Sequence, residues 1–561
     1  MSTHRDVHQP HDHLPAVDAG SPASDYDVIV VGGGPAGLAG ALSLSRAGRS
    51  VLVVDAGEPR NAPASAVHNL LGNEGAAPAD LRVRGMQEVE AYGARVVDGR
   101  VAAARRVSDE AADPRFVATV DSARGGHEIT ARRILLASGV TDVLPEVEGI
   151  RDHWGGAVVH CPFCHGHEVR DQRIVILGAT PMAGHSGLLW RQWTPHLTLL
   201  LDPAVSLERG EVERLHARGV RIVAGTAAAL EERDGQLTGV RTSAGDVLPC
   251  DHVVAPVVSM PAPATIALLA DLDLAPTPWE MNGATIAHRL EAAGTGQTAA
   301  PGVYAAGNLV EPHLQVVASR AAGAQAAAML LMDLISADAD AAVAAARAEF
   351  FERPAWEERF GGDEQAFSGR VNETLAAYAS DLPPGRALDA GAGEGGDVLW
   401  LAERGWDVTA LEFSEAGRRR IGERASAAGL ADRVSLRGDD VRELDTAGET
   451  WDLVTAFFVH LPEGGMVDAT RRLAAAVAPG GTLLVVGHHP GDMPPGSPMA
   501  MHCHTAAELA AALDDDAWIV TAEDRPRVAG SEHGAGHHLR DTVLRAVRRR
   551  DRAATGSRPT G

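Results

Sequence analysis

The chain has 561 residues, of which 45% are hydrophobic and 22% charged, and a formal net charge of −25. Its length predicts three or four domains of a soluble globular protein. The negative charge disfavours nucleic acid and anionic membranes, whose phosphates require clustered basic residues, and no run approaches the ~20 apolar residues of a membrane span. Small molecules are the expected partners. The polar, His-rich residues 1–24 at the start are predicted to be disordered, as are residues 549–561 at the end.

The first folded segment has the pattern of a dinucleotide-binding unit. A strand over residues 26–31 is followed by Gly32, Gly34 and Gly37 in the spacing G-x-G-x-x-G, and then by a helix. Such glycines allow a tight turn, a close approach of the backbone to a pyrophosphate and the packing of the helix on the strand. Asp55 ends the next strand about 20 residues later, where a carboxylate accepts from ribose hydroxyls.

A weaker copy of this pattern follows at residues 173–202, and a Cys-x-x-Cys pair, Cys161 and Cys164, precedes it. Two thiols three residues apart at a helix start are close enough to bridge, and a helix N-terminus lowers a thiolate pKa. The chain has only four cysteines, too few for a structural disulfide framework, so a reducing cytoplasm is expected. There a close pair favours redox activity. The alternative, half of a zinc site, lacks a second such pair.

Residues 135–139 and 302–308 complete a resemblance to the low-molecular-weight thioredoxin reductases, which bind FAD. In that family the FAD domain is discontinuous. The resemblance therefore implies an FAD domain at residues 25–150 and 256–335, and an inserted NAD(P)-type domain with the Cys pair at residues 151–255. A homodimer is also expected from this resemblance.

The same resemblance implies roles for single residues. Gly307 and Asn308 stand where the family has Gly and an Asp near the flavin ribityl chain, and Gln315 stands where it has a residue near the flavin ring. Cys164 would face the flavin and Cys161 would react with the substrate. His165 occupies the position of an acidic proton donor, and an imidazole suits that task.

The electron partner of the flavin stays open at this stage. In the second loop Gly178 is present, but Thr180 replaces the middle glycine, and Asp202 begins the stretch in which the reductases carry arginines for the NADPH 2′-phosphate. A carboxylate repels a phosphate and at best accepts from the ribose of NADH. The loss points to a branch similar to the dithiol oxidases that close the disulfides of gliotoxin and holomycin and pass electrons to oxygen. The alternative is that Thr180 is tolerated and NAD(P)H still binds.

After a helical linker at residues 336–350, a strand from residue 386 runs into the turn Asp-Ala-Gly-Ala-Gly-Glu-Gly at residues 389–395, and a Pro-Gly-Gly turn follows at residues 479–481. With these motifs, residues 351–548 resemble a class I S-adenosylmethionine (SAM) methyltransferase. A strand leads to Asp389, Gly391 and Gly393, which would face the methionine part of SAM, and the second strand ends in Glu412 for the ribose hydroxyls. Asp440 matches the acidic position beside the adenine, with Asp439 as the competing register.

Three histidines stand at the carboxyl ends of later strands of this half, where α/β sheets place their ligands: His460, His488 and His489. They would deprotonate or orient the methyl acceptor, or else only hydrogen-bond a loop. His502, Cys503 and His504, with His533, His537 and His538, form a weaker candidate for a metal site, and no metal is predicted.

The predicted fold is α/β, with two Rossmann-like dinucleotide-binding domains followed by a Rossmann-like methyltransferase domain. The predicted function is an FAD-dependent thiol–disulfide oxidoreductase fused to a methyltransferase, both acting on small sulfur compounds. A small thiol or disulfide, or a thioredoxin-like protein, would be the redox partner, and a small molecule the methyl acceptor. One alternative is an NAD(P)H-dependent thioredoxin-disulfide reductase with a separate methyltransferase activity. Another is a flavin redox sensor with a SAM-binding module.

Overall fold

The computed structural model describes residues 25–107, 113–123, 125–362, 365–462, 464–494, 497–514, 516–527 and 539–550. The predictions for residues 1–24, for residues 551–561 and for His533, His537 and His538 lie outside these ranges. The chain divides into two compact units, Met1–Ala339 and Asp340–Gly561. In the ranges above, none of the helices combines the length and the apolar character that a bilayer crossing requires.

Strands of the first unit are, in chain order, β1 (Asp25–Val31), β2 (Val51–Asp55), β3 (Arg95–Asp98), β4 (Arg100–Arg106), β5 (Phe116–Ser122), β6 (Gly125–Leu136), β7 (Thr141–Val143), β8 (Val158–Val159), β9 (Ile174–Gly178), β10 (Leu197–Leu201), β11 (Arg221–Ala224), β12 (Ala227–Arg233), β13 (Gln236–Thr242), β14 (Val247–Pro249), β15 (His252–Val254), β16 (Val258–Met260), β17 (Pro276–Met281), β18 (Ala284–Leu290) and β19 (Val303–Ala305). Its helices are α1 (Pro35–Arg46), α2 (Pro78–Ala91), α3 (Pro162–His165), α4 (Ala183–Trp190), α5 (Arg209–Ala217), α6 (Pro263–Asp271) and α7 (Val316–Phe351), and the boundary between the units falls inside α7.

The main sheet of this unit has the order β3-β2-β1-β6-β5-β4, and β19 pairs with β6. β1 is parallel to β2 and β6, and β19 is parallel to the end of β6, whereas β5 is antiparallel to β6. The central parallel strands are almost fully buried, since helices cover both faces of such a sheet. The carboxyl ends of β1, β2, β6 and β19 therefore open on one edge, from which the glycine loop after β1 projects.

A second, fully parallel sheet has the order β11-β10-β9-β15-β8 and places β8 directly before the Cys pair. A three-stranded sheet, β12-β13-β14, and a four-stranded sheet, β17-β18-β16-β7, complete the unit. The predicted limits of the inserted domain, at residues 150 and 255, and the predicted linker at residues 336–350 stay predictions.

The second unit is a single seven-stranded sheet with helices on both faces. Its strands are β20 (Arg386–Ala390), β21 (Asp407–Leu411), β22 (Val434–Arg437), β23 (Trp451–Phe457), β24 (Val477–His488), β25 (Trp518–Arg527) and β26 (Leu539–Arg548), and its helices are α8 (Arg353–Gly361), α9 (Glu373–Ala379), α10 (Gly396–Glu403), α11 (Glu415–Ala427), α12 (Gly465–Ala475) and α13 (Ala506–Ala510). The order is β22-β21-β20-β23-β24-β26-β25, with β26 antiparallel to both neighbours. The predicted α/β fold class is confirmed.

Candidate functional site

The loop between β1 and α1 has the backbone that a phosphate-binding turn requires. Gly32 has φ +106°, in the left-handed region that favours glycine, and a Cβ at Gly37 would lie 1.9 Å from the Gly32 carbonyl oxygen. A Cβ at Gly34, by contrast, would meet no atom within 4 Å. The loop is thus closed around Gly37 and open at Gly34, next to the N-terminus of α1, which attracts anions.

Asp55, at the end of β2, is 7% exposed and its carboxylate is already oriented. The Arg82 guanidinium donates to it at 2.7 Å, and the Gly57 backbone N–H donates at 3.3 Å. These bonds leave acceptor capacity on the carboxylate beside the glycine loop. The arrangement fits the adenosine end of FAD.

A cavity of about 990 Å³ runs from this loop to the Cys pair. Its size lies at the upper end of the ~300–1,000 Å³ of ligand pockets. It is lined by the sequence-predicted residues Gly32, Gly34, Asp55, Asn308, Gln315, Cys161, Cys164 and His165, among others. One continuous space therefore connects the predicted nucleotide loop with the predicted redox pair, and its lining fits FAD.

Asn308 follows Gly307 in a 3-10 turn, Gly307–Leu309, directly after β19. Its side-chain nitrogen donates to the backbone carbonyls of Glu311, Pro312 and Leu314 at 3.1, 3.1 and 3.0 Å. An aspartate has no hydrogen to donate, so these bonds require the amide. Asn308 fixes the loop that leads into α7, and its side-chain oxygen remains available to accept from a hydroxyl.

The sulfur atoms of Cys161 and Cys164 lie 3.0 Å apart, with Cys161 at the N-cap of the short helix α3. The Gln315 side-chain nitrogen donates to the Cys164 sulfur at 3.6 Å. The bond with Cys161 lowers the pKa of Cys164 to about 6 against burial, and Gln315 acts in the same direction, whereas the pKa of Cys161 is raised. Cys164 is therefore the thiolate of the pair, and Cys161 holds the shared proton.

Two histidines flank the pair. Burial lowers the pKa of His165, which keeps the ring neutral, and its buried Nδ1 has no hydrogen-bond partner among the described residues. His160 precedes Cys161, lines the same cavity, and hydrogen-bonds through Nδ1 to the Ala255 carbonyl at 3.0 Å. A neutral imidazole accepts a proton from a thiol, so the placement of His165 suits the predicted role.

Sequence analysis missed Arg60 and His68, which also line the cavity and lower the pKa of Cys164 by their charge. Arg60 forms two hydrogen bonds with Asp142, at 2.6 and 2.8 Å, and a third to the Pro312 carbonyl. No sequence signal identifies this arginine, because its partners are 82 and 252 residues away.

The second nucleotide-type loop, after β9, is not a glycine cradle. A Cβ at Gly178 would lie 2.9 Å from the Leu199 side chain, so this glycine serves the packing of the loop on β10. The Met182 sulfur, two residues after Thr180, accepts from the Asn282 side-chain nitrogen at 3.4 Å. Asp202 accepts from the Ala204 backbone N–H at 2.8 Å and thus caps the turn after β10.

The loop after β20 fits SAM. Gly391 and Gly393 have φ of +74° and +56°. The buried Glu412 carboxylate accepts from the backbone N–H groups of Gly393 and Ser414, each at 2.9 Å. The end of β21 is in this way tied to the loop, with its carboxylate at the position where the ribose is expected.

The acidic residues of this half differ in their partners. Asp389 is 3% exposed and accepts from the Thr455 hydroxyl at 2.6 Å, and burial and the neighbouring Asp397 raise its pKa to about 8. Asp440 accepts from the Arg442 guanidinium at 2.7 Å, and the same guanidinium binds Glu352 at 2.9 Å. Asp439 binds Arg437 instead.

The three predicted acceptor-site histidines separate into two groups. The His460 and His488 rings are stacked, with centroids 5.2 Å apart. His489 has other partners, because its Nδ1 accepts from the Gly491 N–H at 3.1 Å and its Nε2 lies 3.3 Å from Asp524. In the part of the chain that the structure describes, no three His, Cys, Asp or Glu side chains are arranged to hold a metal ion.

Comparison with known families matches both halves. The family described as pyridine nucleotide-disulphide oxidoreductase matches residues 26–328, and the family described as methyltransferase domain matches residues 387–481. The chain is 36% identical over 158 residues to a probable thioredoxin reductase of Arthroderma benhamiae and 32% identical over 210 residues to thioredoxin reductase sirT of Leptosphaeria maculans. These matches cover 28% and 36% of this chain, and they span only 39% and 63% of the relatives' lengths.

Two solved structures resemble the first half. The crystal structure of HlmI is 34% identical with a TM-score of 0.52, and covers 59% of this chain and 98% of its own. The oxidoreductase from Agrobacterium tumefaciens is 32% identical with a TM-score of 0.50, and covers 55% of this chain and 99% of its own.

Proposed function

This chain belongs to the pyridine nucleotide-disulphide oxidoreductase family and carries a methyltransferase domain C-terminal to the matched residues. We propose that it is a dithiol oxidase fused to a thiol methyltransferase. The family implies FAD and the methyltransferase domain implies SAM, as predicted. The proposal adds the substrates: a small dithiol for the first half and a small thiol for the second.

The observation that carries the proposal is the placement of the Cys pair. The two sulfurs are 3.0 Å apart at one end of the cavity whose other end is the glycine loop. Cys164 contacts Gln315, which stands where the family has a residue near the flavin ring. Electrons from a substrate can therefore pass through the pair to a flavin in the same cavity.

The pKa order of the two thiols supports a direction for the reaction. A substrate thiolate attacks Cys161 in the disulfide form of the pair, and Cys164 leaves readily because its pKa is low. His165 then takes the proton of the second substrate thiol, and the resulting thiolate attacks the substrate sulfur of the mixed disulfide. Cys161 leaves and takes up this proton from His165. The substrate leaves as a disulfide, and its two electrons remain on the reduced pair. Bound FAD would accept these electrons, restore the pair, and pass them to dioxygen to give hydrogen peroxide.

Three features favour dioxygen over a pyridine nucleotide as the electron partner. Thr180 occupies the position of the middle glycine, whose missing side chain allows a pyrophosphate to approach. Asn282 contacts the same loop at Met182. Asp202 stands where a 2′-phosphate would need positive charge.

The second half is proposed to methylate small thiols. A dithiol is masked either by oxidation to a disulfide or by S-methylation, so one chain would suppress free thiols in two ways. We place this activity in the cytoplasm, because the chain has only four cysteines, too few for a structural disulfide framework. Two hypotheses compete with this proposal: a reductase that uses NAD(P)H, and a flavin redox sensor. A homodimer and a thioredoxin-like partner are additional hypotheses.

The deciding experiment is anaerobic. FAD-loaded protein is mixed separately with NADPH, NADH and dithiothreitol, and bleaching of the visible flavin absorption is followed. We expect fast bleaching by dithiothreitol alone, reversed by air. The double variant Cys161→Ser, Cys164→Ser should not bleach, whereas the control Cys250→Ala, at a buried cysteine outside the pair, should. Fast bleaching by a nicotinamide would identify a reductase and reject the oxidase.

A further inference from the structure

The second unit contains a group of imidazoles beside its SAM loop. A Cβ at Gly391 would lie 2.5 Å from the Val459 side chain, so the segment after β23 packs directly on the loop. His460 follows Val459, and its ring stacks on His488 at the end of the adjacent strand β24. Because β23 and β24 are parallel neighbours, both side chains stand at the edge where the SAM loop projects.

His502 and His504 join this group from the segment between β24 and α13. The His502 backbone is hydrogen-bonded to the His460 ring, and the charges of His488, His502 and His504 all act on His460. The ring of Phe458 packs against that of His488 with the centroids 4.7 Å apart. The ring of Phe351 packs edge-on against that of His502 with the centroids 4.6 Å apart. The site is thus formed by imidazoles and aromatic rings.

Three ring nitrogens in this group are buried and have no hydrogen-bond partner within the described ranges of the chain: Nε2 of His460, Nδ1 of His502 and Nδ1 of His504. Leaving a buried polar group unsatisfied is unfavourable, and such groups in native structures call for an explanation. Three of them at the edge of a cofactor loop are explained by a ligand that exchanges hydrogen bonds with them. Sequence analysis treated His502 and His504 only as possible metal ligands.

We infer that His460, with His488, His502 and His504 around it, forms the methyl-acceptor site, and that the acceptor enters as a neutral small thiol. The inference rests on the proposed function and deepens it. In the reaction the thiol sulfur attacks the methyl group of SAM, a sulfur–carbon bond forms, and the sulfonium–methyl bond breaks. The thiol proton moves to Nε2 of His460 and then to solvent, so that the products are a methyl thioether and S-adenosylhomocysteine.

The basicity of the imidazole selects among acceptors. Burial, and then the charge of His488, lowers the pKa of His460 to about 4. The equilibrium constant for moving a proton to this ring from a thiol of pKa ~8.5 is unfavourable by about four to five powers of ten. From a phenol of pKa ~10 the gap is about six powers of ten. Of these two acceptors the thiol is therefore the easier one for His460 to deprotonate.

The test compares His460→Gln with the control His489→Gln in the full chain, with SAM and three probes: dithiothreitol, thiophenol and phenol. S-adenosylhomocysteine formation gives kcat and KM, and calorimetry gives the Kd of SAM. For the unaltered chain we expect methylation of both thiols and not of phenol. His460→Gln should lower kcat for dithiothreitol about 100-fold, consistent with the loss of a general base. Thiophenol, already ionised at pH 8, should lose less than tenfold, while His489→Gln should change neither.

Several results would overturn this assignment. Equal losses for the two thiols, an unchanged kcat in His460→Gln, or a preference of the unaltered chain for phenol would each reject it. If His460→Gln loses SAM binding, the same comparison is made with His502→Gln. Its kcat should fall more for dithiothreitol than for thiophenol, and a smaller fall for dithiothreitol rejects the site. Failure of the proposed function is distinguishable, because it would appear in the unaltered chain as no SAM binding or no methylation of either thiol, before any variant is compared.

Discussion

The side-chain nitrogen of Gln315 lies 3.6 Å from the sulfur of Cys164, although 151 residues separate them. Gln315 immediately precedes α7, whose first residue is Val316. The contact therefore joins the start of this helix, at the edge of the main sheet, to the redox pair that follows β8. It also provides a neutral donor that stabilises a thiolate without introducing charge.

Replacing this donor should change the ionisation of Cys164. The pKa of Cys164 is lowered to about 6, so the thiolate predominates above pH 6 and is lost as the pH falls through that value. Gln315→Leu removes one of the groups that stabilise the thiolate, and the pH profile of Cys164 alkylation by iodoacetamide should move upward by up to about one unit. Mass spectrometry would identify the alkylated cysteine. Gln192→Leu, at an exposed position, is the control, and coincident profiles for all three proteins would disprove the role of Gln315.

Two glycines of the first loop should respond differently to alanine. Gly34 has open space around its Cβ position, so Gly34→Ala should leave the FAD-free protein folded and lower FAD affinity by about tenfold or more, because the methyl group enters the space for the pyrophosphate. Gly37→Ala places its Cβ against the Gly32 carbonyl and should lower the melting temperature as well. Fluorescence titration with FAD and thermal melts of the FAD-free protein separate the two effects. Equal melting temperatures for both variants would contradict the loop geometry.

Asn308→Asp restores the residue that the thioredoxin reductases carry, and we expect it to weaken the site. Three backbone carbonyls that now accept from the amide nitrogen would face a carboxylate oxygen. Because the amide carries two hydrogens, it makes at most two full hydrogen bonds with these carbonyls. At about 1 kcal/mol each, their loss should raise the Kd for FAD about 30-fold. Fluorescence titration measures it, with Asn282→Asp on an exposed turn as control. Unchanged affinity would mean that the loop does not depend on Asn308.

Glu412→Gln should affect the second half alone. Both carboxylate oxygens accept from backbone N–H groups, of Gly393 and Ser414, and an amide presents a donor to one of them. We expect the Kd for SAM to rise about 10- to 100-fold, or about 1.4–2.8 kcal/mol. Calorimetry measures it, and Glu403→Gln is the control. Flavin reduction by dithiothreitol should be unchanged, and parallel losses in both activities would point to a folding defect.

The features that could be predicted from the sequence are local. The turn at Gly32 and the carboxylates at Asp55 and Glu412 follow from short patterns with fixed spacing, and the comparisons bear out both families. The separate uses of His488 and His489 could not be predicted, because both are adjacent at the end of one strand and only the packing of β24 against its neighbours distinguishes them.

Other features depend on contacts between distant segments. No local motif distinguishes Arg60 from the other arginines of the sequence. Its place beside the redox pair depends on its hydrogen bonds with Asp142 and Pro312. Asn308 is a different case, because its three carbonyl partners lie within six residues of it. The replacement of the family's aspartate is evident from the sequence, but these bonds depend on the conformation of the loop.

The buried carboxyl of Asp389 has a consequence for calorimetry of the second half. Because its pKa is raised to about 8, the ligand-free folded unit holds a proton that the unfolded chain releases near pH 4, and it loses stability as the pH rises between these values. SAM is cationic at its sulfonium and ammonium groups, so its binding favours the carboxylate and expels this proton at pH 7. The heat of SAM binding should therefore vary with the ionisation enthalpy of the buffer, and SAM affinity should increase with pH up to about 8. Each binding event would then be coupled to proton release.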